Sequence, residues 1–340
     1  MSPARDGGVP VPTVVVIGSN SFSGSDFVDL LLDEGRYHVV GISRSLEKSR
    51  VFLPYRDRPD LSRFEFHQVD LNHGMPTLLE LLAARQPAYV VNFASQSEVA
   101  PSWAHPEQWL QTNAVSTAAL GNYLKDQSWL RRYVHISTPE IYGSCEGVVS
   151  EDAPFNPSTP YAASRAAGEL ILRVLFKQYA LPLTIIRSAN VYGAHQQLHK
   201  IIPRAMIALK TGRMIDLHGG GGQQRSFIHI RDVSRAERSA MEHGKSGEAY
   251  HLATRDLVSV RELVQRICDQ LGAPFEQRTR HTADRPGQDK AYILDSSKAR
   301  RELQWEPRVT LDAGLREVHD WIERDWAAIE SGPLEYVHKP

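Results

Sequence analysis

The stretch VVVIGSNSFSGSDFVDLLL, residues 14–32, passes from an apolar run through a turn into apolar residues at helical spacing. Val14 to Ile17 are β-branched without a polar interruption, as in a strand buried on both faces. Gly18 and Gly24 have the outer spacing of a dinucleotide fingerprint. Missing side chains there let the backbone turn sharply and let a pyrophosphate reach the helix N-terminus. Ser21 holds the middle position where glycine is usual, and Phe22 follows it; both join Gly18 and Gly24 as cofactor-binding candidates. A plain strand-to-helix turn is the alternative reading of this stretch alone.

The same alternation continues outward. TVVVIG, HVVGIS, FEFHQVDL, AYVVNFAS, RYVHIS and LTIIRSANVYG read as strands, and SDFVDLLLDEG and PTLLELLAARQ as helices between them. Apolar strands separated by helices predict an α/β fold, a doubly wound parallel sheet of the Rossmann type. After Asn190 the pattern loosens through LHGGGGQQ, SFIHI and RTRHTADRPGQDK, as expected for a smaller substrate-binding lobe. The expected division is a disordered tail over 1–12, a Rossmann domain over 13–190 with returns near 228–253 and 290–305, a lobe mostly within 191–330, and a C-terminal tail over 331–340.

The 39 basic residues offset 40 acidic ones, so bulk charge points to neither nucleic acid nor an anionic membrane as partner. Cys145 and Cys268 form neither a metal-ligand spacing nor a disulfide framework. No apolar run approaches the roughly 20 residues of a membrane helix, and the opening MSPARDGGVPVP lacks the apolar stretch of a secretory signal. A cytoplasmic protein without a metal is expected.

In an open parallel sheet, ligands sit beyond the carboxyl ends of the strands. The second strand ends in GISRSLEKS, where Ser43 and Arg44 suit the 2′-phosphate of NADP; an acidic residue would suit NAD, which stays open, as does a solvated basic loop. Asp70, followed by Leu71, is an adenine neighbour or a helix cap, and Ala94 closes the fourth strand. Tyr161 and Arg165 lie four apart on one helix face. A cation there would lower the phenol's proton affinity and make Tyr161 a base for a hydroxyl proton.

The Gly-rich turn, NFAS, HIST, the Tyr-x-x-x-basic helix and NVYG, taken together, resemble the extended short-chain dehydrogenase/reductase superfamily, and within it the nucleotide-sugar 4,6-dehydratases. STPEIYG, NPSTPYAASRAAGE, HKIIPRAM, RSFIHIRDV and DRPGQDKAYILDSSKARRELQW carry that resemblance, in order, along nearly the whole chain. It implies an NAD(P)-dependent enzyme, a nucleotide-diphosphate sugar substrate and a homodimer built on TNAVSTAALGNYLK and the Tyr161 helix. It places Thr138 on the sugar 4-hydroxyl, Tyr161 as base with Arg165 on the nicotinamide ribose, and Glu140 as the base at C5. Lys200, Arg225 and Arg285 fall around the diphosphate, Asn190 falls on the substrate, and Glu98 is a substrate-side carboxylate and second candidate acid.

Two departures follow. Arg165 stands where the family has lysine, and Pro139 stands where the dTDP-glucose enzymes carry the aspartic acid that protonates the departing hydroxyl. The resemblance favours a 4,6-dehydratase in which Glu140 returns its own proton. A 4-epimerase, a hexuronate decarboxylase and a catalytically weak NADP(H)-binding sensor or scaffold are the alternatives.

Overall fold

The computed structural model describes residues 5–6, 9–145, 147–283, 293–332 and 334–339. The elements that build its first lobe are β1 (Thr13–Ile17), α1 (Phe22–Glu34), β2 (His38–Ser43), β3 (Phe64–Gln68), α2 (Met75–Arg85), β4 (Tyr89–Asn92), α3 (Thr117–Leu124), β5 (Arg132–Ile136), α4 (Pro160–Tyr179) and β6 (Leu183–Ser188). The second lobe begins with α5 (Ile201–Lys210). The chain then returns as α6 (Ile230–His243) and β7 (Ala249–Leu252) before α7 (Val260–Gln270) and α8 (Leu311–Arg324).

One parallel sheet of 7 strands has the order β7-β6-β5-β4-β1-β2-β3. The expected Rossmann architecture is therefore present. Side chains alternate across a strand, and β1 uses both faces. Val14 and Val16 pack with Phe27 and Leu31 of α1 and Val233 and Ala236 of α6. Val15 and Ile17 pack with Leu78 and Leu82 of α2, Leu120 of α3 and Leu172 of α4. Because β1 has neighbours on either side and the strand order reverses there, its carboxyl end opens onto the crevice where such sheets bind ligands.

A separate core forms the second lobe, from Ile202 and Met206 of α5, Leu263 and Ile267 of α7, and Leu315, Val318 and Trp321 of α8. Ile293–Leu294 pairs in parallel with Val148–Val149, so the chain comes back to the first lobe again. Within the opening stretch expected to be disordered, Arg5–Asp6 pairs antiparallel with Val9–Pro10.

A buried ion pair joins β6 to α4: Arg187 and Glu169 are both fully buried, with Arg187 Nε 3.1 Å from Glu169 Oε2. Arg187 also donates to the Tyr142 hydroxyl and, at 3.0 Å, to the Glu151 carbonyl. Tyr142 in turn lies 2.7 Å from His251 Nε2 of β7. This network anchors the turn that follows β5 to the helix that carries Tyr161. Breaking it by removing one partner would leave an uncompensated buried charge.

Candidate active site

The carboxyl ends of β1, β2 and β4 border a cavity of about 440 Å³. Gly18, Ser21, Ser43 and Arg44 line one side of it, and Asp70, Leu71, Ala94 and Glu98 continue the wall. Phe22 and Gly24 belong to the turn without lining the cavity. Gly18 has φ +86°, and a Cβ there would stand 2.7 Å from the Ala94 nitrogen. A Cβ on Gly24 would stand 2.3 Å from the Gly18 carbonyl oxygen. Both glycines are thus required by close backbone approach. Ser21 is not, at φ −74°; it caps α1, its Oγ accepting the Gly24 N–H at 3.0 Å.

Ser43 is turned to the same local task, for its hydroxyl accepts the Asn20 N–H at 2.9 Å. Asn20 then holds the following loop by donating to the carbonyls of Ser45 and Leu46, each at 2.9 Å. Asp70 accepts the Asn72 N–H at 2.8 Å. Beyond β4, Gln96 and Asn113 exchange hydrogen bonds of 2.9 Å, and Asn113 donates to Ser164 of α4 at 2.9 Å. Asn113 sits in a π-helical turn, Gln111–Ser116, a distortion often found at functional sites.

Thr138 ends β5 and caps the short turn Pro139–Tyr142, accepting the Glu140 N–H at 3.3 Å. Pro139 occupies the first position of that turn, where its missing N–H costs nothing. Thr159 caps α4 in the same way, followed by Pro160, and this sets Tyr161 in the first turn, its N–H donating to Ser102 Oγ at 3.2 Å. Tyr161 is 7% exposed and hydrogen-bonded to Thr138.

Arg165 lowers the proton affinity of Tyr161, as expected, but it does not decide the net shift. Burial and the facing Glu140 carboxylate outweigh Arg165 and Thr138, and the phenol is pushed up to about 12. Arg165 is itself buried and donates to the Ile136 carbonyl at the end of β5. Thr138, Glu140, Tyr161 and Arg165 are thereby brought together, but none of them lines the cavity. Glu98, in the cavity wall, is close enough to Tyr161 to oppose its ionisation.

The partners of Glu98 favour its ionised form and so disfavour it as the substitute acid. Burial would raise its pKa, but a hydrogen bond from His199 and the Lys200 charge prevail and hold it at about 2. Lys200 Nζ lies 2.6 Å and His199 Nε2 3.3 Å from the same Glu98 oxygen. A second cavity, of about 240 Å³, is lined by Asn190 and Arg225, and His199 borders both cavities. Lys200 lines neither. Arg285 lies outside the described residues.

Residues 15–318 match the model of the family described as GDP-mannose 4,6 dehydratase. The dTDP-glucose 4,6-dehydratase of Streptomyces niveus is 32% identical over 96% of this chain and 98% of its own length. This chain belongs to that dehydratase family.

Solved relatives agree with the assignment. The dTDP-glucose 4,6-dehydratase of Streptomyces venezuelae, with NAD bound, superposes with a TM-score of 0.84 at 32% identity, over 93% of this chain and 98% of that one. The UDP-glucuronic acid 4-epimerase of Bacillus cereus, with UDP-glucuronic acid and NAD, gives 0.84 at 28% identity, over 92% and 99%. This family member is thus an enzyme of the extended short-chain dehydrogenase/reductase type.

Several residues of its site were not legible in the sequence. Asn20, Asn113 and His199 are isolated polar residues without a spacing signal, and only the fold gives them partners. Within the stretch read as a C-terminal tail, Glu335, Tyr336, Val337 and Lys339 line the larger cavity, which the sequence did not show.

Proposed function

We propose that this protein is a nucleotide-sugar 4,6-dehydratase that makes a 4-keto-6-deoxy sugar without net redox change. The observation that carries this reading is the set Thr138, Glu140 and Tyr161, in mutual electrostatic contact on two separately capped turns. The cradle at Gly18 and Gly24 fits a dinucleotide, since a Cβ at either position would obstruct the turn. The nicotinamide cofactor, when bound, supplies the site that accepts the C4 hydride and gives it back at C6.

Tyr161 takes the proton of the 4-hydroxyl, with Thr138 orienting that hydroxyl. With phenol proton affinity this high, Tyr161 acts as a base through its minor tyrosinate form, which the Arg165 charge favours. Oxidation at C4 acidifies C5, and Glu140 removes that proton. Pro139 offers no acid and Glu98 is held ionised, so Glu140 returns the same proton to the departing C6 hydroxyl in a syn elimination; as C6 is reduced, C5 regains a proton from solvent through Glu140, and Tyr161 releases the one it took. Asn190 and Arg225 hold the nucleotide-diphosphate end, with Lys200 and Arg285 contributing charge.

For the cofactor we favour NADP, since Lys48 and Lys339 join Arg44 along the cavity wall. NAD is the alternative supported by the relatives. Comparing NADP⁺ and NAD⁺ affinities decides between them. Exposed apolar residues support a homodimer: Leu110 and Val115 precede α3, and Leu170 and Val174 are one turn apart on α4. A Rossmann domain over 13–190 and a substrate lobe within 191–330 fit the separate cores. Among the described residues no helix is long and apolar enough to cross a membrane, and both cysteines are free; we favour the cytoplasm.

A 4-epimerase is the second reading, favoured by Pro139 and by the fit to the UDP-glucuronic acid 4-epimerase. Incubation with a panel of nucleotide hexoses and nucleotide hexuronic acids, followed by mass spectrometry, separates the readings. Loss of one water supports the dehydratase; conversion at unchanged mass overturns it in favour of the epimerase, and loss of carbon dioxide would identify a decarboxylase.

A further inference from the structure

The structure assigns the segment 334–339 to the cofactor site: we propose that it is a strap that roofs the bound dinucleotide and retains it through the catalytic cycle. This rests on the cofactor reading above.

Leu334 packs into the core of the second lobe and fixes one end. From there the chain crosses to the first lobe. The Tyr336 ring stands edge-on to His199 at 5.6 Å. His338 stacks on Trp109, 5.3 Å between centroids and 13° from parallel, and on His105, at 5.6 Å and 4°. Its Nε2 lies 2.7 Å from Gln108 Oε1. The Lys339 carbonyl then accepts hydrogen bonds from Gln96 at 2.8 Å and Arg44 at 3.1 Å, residues that follow β4 and β2 respectively. One carbonyl thus bridges two loops on either side of the Gly18 turn.

Two observations make the segment a roof and not a plug. With the strap in place, about 440 Å³ stays open beneath it, a volume within the range of ligand sites. The strap also brings Lys339 to the wall that already holds Arg44 and Lys48. Lys48 has a lowered proton affinity, first from burial and then from the Lys339 charge. Closing one cation onto others is unfavourable unless an anion lies among them, and a phosphorylated dinucleotide is such an anion. Retention has a purpose here, because the hydride taken at C4 has to be returned by the same cofactor molecule.

The test compares the full chain with a chain ending at Leu334, which keeps the core anchor, and with His338→Ala. Release of NADPH and of NADH is followed by stopped-flow fluorescence. Losing three hydrogen bonds and two ring stacks should speed release at least on the order of tenfold, with a smaller effect for His338→Ala. Amides 335–339 should exchange more slowly with deuterium once the dinucleotide is bound. Unchanged release, or tighter binding after truncation, overturns the strap alone and leaves the cofactor reading standing. If the full chain binds neither dinucleotide, the cofactor reading fails and the strap with it.

Discussion

Two loops that follow neighbouring parallel strands each bring a glutamate near Tyr161, and the two carboxylates come out differently partnered. Glu98, after β4, is met by Lys200 and His199 from the start of α5, which together hold it ionised. Glu140, after β5, faces Tyr161 and raises that phenol's proton affinity. One carboxylate is paired with a cation from another segment, and the other bears on the phenol that we propose as the base. Residues distant in the chain set this difference.

The comparison breaks most visibly at Glu140. Glu140→Gln should lower dehydration by about 10²–10⁴-fold, while largely sparing any 4-epimerisation. Glu98→Gln should leave dehydration well above that level. Steady-state kinetics on a dehydrated substrate measures both, and equal losses would erase the distinction between the two carboxylates.

The support beneath the Glu140 turn gives the next largest effect. Arg187→Met leaves the buried Glu169 with only the partly exposed Arg173 as ion partner and should cost up to about 3–5 kcal/mol of stability, read as a fall in denaturation midpoint. The corresponding change at Lys200, which is partly exposed, should cost far less.

Arg165→Met sharpens the electrostatic side. Arg165 is a lowering influence on Tyr161, so removing it moves the phenol further up. The rise of kcat/KM with pH should move to higher pH, and activity near neutrality should fall about tenfold for every pH unit by which the profile is displaced. An unmoved profile would mean that Arg165 acts only through the Ile136 carbonyl.

The smallest effect belongs to the pH dependence of folding at Glu98. Its folded pKa, about 2, lies below the ordinary 4.5. The stability it contributes is present above the ordinary value and disappears as pH falls through the window from 4.5 to 2. Glu98→Gln should flatten the acid limb of the stability curve in that window, as measured by urea denaturation at a series of pH values.

The legible part of the site has a common physical origin. Gly18, Gly24, Thr138 and Tyr161 are set by local backbone needs or by neighbours three or four residues away, and such constraints are written along the chain. Ser21 and Ser43 were legible as cavity-lining positions, whereas the second task of each hydroxyl, accepting a backbone N–H, appears only in the structure. Of the proton affinity of Tyr161 only one part was legible: the neighbour four residues away does lower it, but burial and Glu140 raise it by more.

By itself the sequence determined the alternating strands and helices, the apolar character of β1 on both faces and the resemblance that names the family. These follow from period, turn chemistry and local order, which survive in one dimension. Only the tertiary structure decided that Glu98 meets Lys200 and His199, that Arg187 and Glu169 bury their charges together, and that residues 334–339 lie along the cavity. Electrostatics and packing act through space between segments far apart in the chain, and no spacing along it encodes which of them will touch.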